Sequence, residues 1–274
     1  MLPDALRTEL AAVPDLRLLT QPEDLERFSR DAYDYSPVLQ QRLAQCRAEL
    51  VVRPETVDAV VRVAAGCRQH GVPLTLRGSG TGNYGQSVPL ESGVVMLMSQ
   101  LRAVRSIDQS SGVVTVECGC LMKDLNRELA RAGRQLRLMP STWRSATIGG
   151  FIAGGSGGIG SVRWGFLRDP GHLLGLEVVT MEQQPRVLQL EAGDAEALNH
   201  AYGTNGIITA LRLATATSVD WQELVVDCPD WRTAVDLARR CSSAAIDLHL
   251  CTVLEAAVVE LLPKWDLPQR RSDR

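Results

Sequence analysis

Arg77-Gly78-Ser79-Gly80-Thr81-Gly82-Asn83-Tyr84-Gly85 is the stretch on which the reading of this chain turns. A second glycine-rich stretch, Ala146-Thr147-Ile148-Gly149-Gly150 through Gly165, follows it. Glycine tolerates positive φ and lets backbone N–H groups approach a ligand with no Cβ in the way. Successive amides in such turns form concave nests that bind anions. Two of them in one chain point to an extended ligand carrying a pyrophosphate.

The commonest dinucleotide reading fails on its surroundings. Gly80, Gly82 and Gly85 spell G-x-G-x-x-G, as do Gly155, Gly157 and Gly160. That fingerprint has meaning only where a strand runs into a helix. Val72 to Leu76 reads as a short strand before the first match, but Pro89 and Gly93 fall where the first helical turns belong. After the second match, Ser161 to Gly171 holds Gly165, Pro170 and Gly171 and no apolar period of 3.6. A Rossmann fold is therefore disfavoured, and no G-x-x-x-x-G-K-[ST] is present for a Walker loop.

Composition narrows the class. The chain has 274 residues, 45% of them hydrophobic, enough for a sizeable core. A formal net charge of −3, with arginines scattered rather than clustered, argues against a nucleic-acid partner. No stretch approaches the roughly 18–20 apolar residues of a membrane span. Met1 to Leu6 lacks the regions of a signal peptide, so a cytoplasmic location is expected. Seven cysteines form no disulfide framework, and Cys118-Gly119-Cys120 has no second pair at zinc-site spacing. The histidines His70, His172, His200 and His249 are isolated, and no metal site is expected.

Outward from the glycines, Thr56 to His70 has helical apolar spacing closed by Gly71, and Leu121 to Ala132 is a helix stopped by Gly133. Val94 to Met98 and Gly206 to Leu213 read as buried strands, and Val113 to Glu117 as a half-exposed one. Leu173 to Met181 and Arg186 to Leu190 form a hairpin. After about residue 218 the pattern predicts a strand over 220–227, a helix over 230–241, a strand over 245–250 and a helix over 254–262. Helices and strands mixed without strict alternation give an α+β class, two small layers with the ligand between them.

The ordered series Pro54-Glu55-Thr56, Arg77-Gly78-Ser79-Gly80-Thr81-Gly82, Val116-Glu117-Cys118-Gly119, Pro140-Ser141, Ala146-Thr147-Ile148-Gly149-Gly150, Gly157-Gly158, Arg163-Trp164-Gly165, Leu176 to Val179 and Gly203 to Thr209 carries a resemblance. Over residues 20 to 217 the chain resembles the FAD-linked oxidases of the vanillyl-alcohol oxidase and p-cresol methylhydroxylase (PCMH) type. The branch it resembles most holds the glycolate oxidase and D-lactate dehydrogenase flavin subunits. The resemblance implies a PCMH-type fold of two α/β subdomains over residues 46–217, after an N-terminal lead-in over 1–45. Residues 218–274 would open an α+β cap domain.

The resemblance also implies FAD, with roles for particular residues. Gly78, Ser79, Gly80, Thr81 and Gly82 would hold the pyrophosphate, with Arg77 entering the loop and Gln86 just beyond it. Pro140, Ser141, Ala146, Thr147, Gly149 and Gly150 match the segment running past the isoalloxazine and pyrophosphate, Gly150 being small so that the dinucleotide can pack on its backbone. Gly157, Gly158 and Ser161 match a segment on the far side, and Ile207 a backbone clamp at the adenine end. Tyr84 is a further candidate for the flavin environment, whereas His172 reads as a loop residue. Members with covalent flavin often carry histidine where this chain has Thr81, so non-covalent FAD is expected.

The implied chemistry is oxidation of a 2-hydroxy acid such as glycolate or D-lactate, with partner subunits or a separate electron acceptor. The family draws its substrate-side groups mainly from the cap and later regions, so no catalytic base is assigned. The sequence closes on a polar tail, Gln269 to Arg274. A fragment, a truncated product and a short family member all fit, and weak turnover by the chain alone is expected.

Overall fold

The computed structural model describes residues 2–33 and 36–261. Two sheets organise it. The first contains β1 (Leu16–Leu19), β2 (Leu50–Pro54), β3 (Leu74–Arg77) and β4 (Val94–Leu97), in the order β1-β2-β4-β3. β4 runs parallel to β2 and β3, and β1 is antiparallel to β2. The second sheet is antiparallel: β5 (Val104–Asp108), β6 (Val113–Glu117), β8 (Leu173–Val179), β9 (Val187–Glu191) and β10 (Ile207–Thr217) lie in the order β5-β6-β10-β8-β9. A short β7 (Arg134–Leu136) pairs with the far end of β10.

The helices are α1 (Asp4–Ala11), α2 (Pro22–Phe28), α3 (Pro37–Leu43), α4 (Val57–His70), α5 (Met122–Arg131), α6 (Ile148–Gly154), α7 (Ser161–Trp164), α8 (Ala192–Ala195), α9 (Trp231–Ser243) and α10 (Ala256–Leu261). In α4 the Thr56 hydroxyl accepts from the Ala59 amide, and Gly71 ends the helix at φ 63°. Its buried face, Ala59, Val60, Val63, Ala64 and Cys67, joins Leu6 and Leu10 of α1 and strand residues of both sheets in one core. The parallel strand β4 is buried at every position, as its unbroken apolar run requires.

The N-terminal region is part of this body: β1 completes the first sheet and α1 packs on α4. Residues 218–261 differ from the sequence reading. The helix expected over 230–241 is α9, capped by the Asp230 carboxylate on the Thr233 amide. Residues 220–227 and 245–250 are not strands, because no strand among the described residues offers them a hydrogen-bonding ladder. They are pinned by single contacts instead. The Trp221 indole donates to Gln135 Oε1 at 3.2 Å and stacks on His249, ring centroids 4.5 Å apart. Arg163 lies 5.7 Å over the Trp221 ring and pairs with Asp247. The expected helix over 254–262 is present as α10, its final residue lying outside the described residues, as do Asp34, Tyr35 and the polar tail.

Candidate cofactor-binding site

The first glycine stretch leaves the C-terminal end of β3 at the edge of the first sheet, and the second becomes the N-terminus of α6. They touch: a Cβ on Gly78 would stand 2.3 Å from Thr147 Oγ1. Thr147 caps α6, its hydroxyl accepting from the Gly150 amide. Between them opens a cleft lined by residues of both segments.

Arg77 shapes the loop from beneath. It is only 5% exposed, donates from Nη1 to Ser87 Oγ at 2.9 Å, and sits where a side chain on Gly80 would go. Ser87 donates to Asp31, whose other oxygen accepts the Gly85 amide at 2.7 Å. Burial pushes the Arg77 guanidinium below its ordinary value, and Asp31 pulls it partly back. Held this way, Ser79, Gly80, Thr81 and Gly82 line the cleft, and their backbone N–H groups have no hydrogen-bond partner among the described residues. Four adjacent unpaired donors beside a buried arginine make a nest for a pyrophosphate, so the residues present fit FAD. Gly154, on the same cleft, has nothing within 4 Å of a Cβ position, so a flat group can approach its backbone.

The structure places the predicted residues unevenly. Arg77, Gly78, Ser79, Gly80, Thr81, Gly82 and Gln86 line one side of the cleft; Pro140, Ala146, Thr147, Gly149 and Gly150 line the other. Ser141, Gly157, Gly158, Ser161 and Ile207 are not on its wall. Ile207 is 1% exposed in β10, while its neighbours Gly206 and Ile208 reach the cleft. The Gly158 amide donates to Ser161 Oγ at 3.0 Å, and a Cβ on Gly158 would stand 2.5 Å from the Met139 carbonyl. That segment answers to its own packing. Tyr84 is 72% exposed and off the wall. His172 is buried and bonds the Trp164 carbonyl at 2.9 Å, and none of the four histidines lines the cleft.

Residues that sequence reasoning missed include Met98, Phe151, Ala153 and Ile208, the apolar wall, and Tyr202 with Gly203. The apolar ones carry no signal beyond core-type hydrophobicity. Cys118 also lines the cleft, and burial pushes its thiol up to about 12, so it stays neutral. Tyr202 and His200 adopt left-handed φ of 52° and 60°, a conformation that costs non-glycine residues about 1–2 kcal/mol each. Nothing in the sequence announces that.

Comparison with known proteins agrees with this geometry. A family model described as FAD binding domain matches residues 48–184. The chain belongs to that family. The FAD-binding domain is similar to glycolate oxidase subunit GlcD of Bacillus subtilis, 33% identical over 148 residues, 54% of this chain and 30% of that protein. It is also similar to the mitochondrial D-2-hydroxyglutarate dehydrogenase of Danio rerio, 30% identical over 138 residues, covering 50% of this chain and 26% of the relative. The chain thus spans about a third of the length of the curated relatives it matches. Among solved structures, an alkyldihydroxyacetonephosphate synthase superposes with a TM-score of 0.68 at 21% identity, covering 79% of this chain and 41% of that one. The α+β PCMH-type fold and FAD as cofactor follow. Among the described residues no helix is long and apolar enough to cross a membrane, and no cluster of His, Cys, Asp and Glu is placed to hold a metal ion.

Proposed function

We propose that this chain is the FAD-binding part of an oxidoreductase that oxidises a 2-hydroxy acid of the glycolate, D-lactate or D-2-hydroxyglutarate class. The observation that carries the reading is the cleft lined both by the α6 segment and by the first glycine loop, whose four backbone donors Ser79 to Gly82 have no partner among the described residues. Bound there, FAD would supply the hydride acceptor. Ser79 to Gly82 would hold its phosphates and Arg77 would keep the loop in shape. Gly150 and Gly154 would admit the dinucleotide to the backbone, and Met98, Phe151 and Ile208 would exclude water. Glycolate and D-2-hydroxyglutarate are drawn from the relatives named above, a glycolate oxidase subunit and a D-2-hydroxyglutarate dehydrogenase, and D-lactate from the family resemblance. The word "subunit" in one of those names supports partner chains. Free thiols at all seven cysteines suit a reducing compartment such as the cytoplasm.

Anaerobic mixing of the flavin-loaded chain with each acid, followed by flavin absorbance, tests the reading. With any co-purifying subunits present, bleaching by at least one of them is the expected outcome, while the chain alone should bleach slowly or not at all; an unchanged spectrum with all three in the presence of those subunits would reject the substrate class. The reading includes non-covalent FAD, since Thr81 offers no ring nitrogen and the Cys118 thiol is neutral. Acid precipitation should release all flavin to the supernatant, and colour kept in the pellet would refute it.

A further inference from the structure

The loop between α8 and β10 holds two left-handed residues, His200 and Tyr202, that no cofactor motif accounts for. Their backbones have a job: the His200 amide donates to the Ile152 carbonyl at 3.0 Å and the Tyr202 amide to the Ala153 carbonyl at 2.9 Å. These bonds satisfy the last turn of α6. Capping of that kind uses only main-chain atoms, and glycine or asparagine would adopt the left-handed backbone with less strain. The side chains need a separate reason.

They are tied to one another and to the cleft. His200 Nε2 and the Tyr202 hydroxyl are 2.9 Å apart, and the rings meet edge to face with centroids 5.2 Å apart. A Cβ on Gly155 would stand 2.2 Å from the His200 ring, so the imidazole packs directly on the glycine that ends α6. Gly203 is locked against Leu76, the residue before Arg77, with 2.9 Å between its Cβ position and Leu76 Cδ1. Tyr202 is thereby fixed on the cleft wall between α6 and the start of the glycine loop, yet stays 43% exposed. A large, rigid, half-exposed aromatic in a cleft of backbone donors suits a planar partner.

We propose that Tyr202, oriented by His200, is a contact for a planar ring of the bound dinucleotide, adenine or isoalloxazine. This rests on the FAD-binding reading of the cleft. Tyr202→Leu should weaken FAD binding roughly 5- to 150-fold, the span found when one aromatic partner of a base is removed. Tyr202→Phe, which keeps the ring and loses only the bond to His200, should stay within about threefold.

FAD is titrated into the full-length apoprotein by calorimetry and flavin fluorescence for the native chain and both variants, and ADP is titrated in parallel. Equal losses for ADP and FAD place the contact at adenine; a loss for FAD alone places it at the isoalloxazine; either supports the proposal. If Tyr202→Leu does not fold, Tyr202→Asn, suited to the left-handed backbone, carries the same comparison. A folded Leu or Asn variant that binds FAD as tightly as Tyr202→Phe overturns the role of Tyr202 alone. Failure of the native chain to bind FAD overturns the reading of the cleft as well.

Discussion

The two glycine segments facing each other across the cleft are rich in the same residue for different reasons. In the first, the amides of Ser79 to Gly82 have no partner among the described residues, and Gly80 sits at φ 68° above the Arg77 guanidinium. In the second, the amides are already used: Gly149 donates to the Cys118 carbonyl at 2.8 Å and Gly150 to Thr147 Oγ1 at 3.3 Å. There glycine supplies closeness, not donors. Gly149 clears the Cys118 backbone, while Gly150 is exposed and meets only Thr147 Oγ1 at 2.9 Å from its Cβ position. In the proposed reading, one segment would bind charge, and the other would bring a helix and a flat ligand near enough to be bound.

Gly150→Val is the sharpest way to break that distinction and should have the largest effect. A branched side chain would project into the cleft, and overpacking against a ligand of about 3 kcal/mol would lower FAD affinity about a hundredfold or more. Thermal unfolding of the apoprotein should shift little, because only the Thr147 hydroxyl must adjust. Normal FAD affinity in a folded Gly150→Val protein would reduce Gly150 to a turn residue.

Gly149→Ala should do the reverse. Its new Cβ would lie 2.5 Å from Cys118 Cβ and 2.8 Å from the Cys118 carbonyl oxygen. Backbone cannot step aside as a side chain can, so a loss of about 1–3 kcal/mol in apoprotein stability is expected, each kcal/mol lowering Tm by about 2–4 °C in a domain of this size. Apoprotein melting curves for the two variants side by side test the comparison. If Gly149→Ala melts like the native chain, the packing argument for the second segment is wrong.

What the sequence disclosed follows the same division. Donor glycines announce themselves by clustering with serine and threonine, and helices such as α4 by period and cap. Gly149 against Cys118 is a contact between segments far apart in the chain, which no local pattern carries. Residues 220–227 and 245–250 have strand-like composition but no partner strand among the described residues, and strand composition is realised only in a ladder. Ile207 and Ile208 show how fine the limit is. Both are β10 residues with the same side chain, and only the second reaches the cleft, because side chains alternate along a strand.

That alternation frames the smallest effect expected. Thr209, next along β10, donates to Glu177 Oε1 at 2.9 Å. Arg105 Nη1 and Nη2 hold both oxygens of the same carboxylate at 3.0 Å, and Gln189 adds a bond at 2.9 Å. Burial alone would push the Glu177 carboxyl up, but the bonds from Arg105, Gln189 and Thr209 outweigh it and hold it below the ordinary glutamate value. A carboxyl lowered by folding contributes stability above its unfolded value and loses it as pH falls through the folded one. The Tm of the native chain should therefore fall with acidification below about pH 4.5, and that acid limb should be shallower in Glu177→Gln, modestly so because water partly screens the pair. At neutral pH Glu177→Gln should bind FAD as the native chain does, since the carboxylate meets Thr209 and not Ile208. A changed affinity there would mean that the cleft wall depends on both faces of β10, and the separation of cofactor-binding from packing residues would need to extend beyond the two glycine segments.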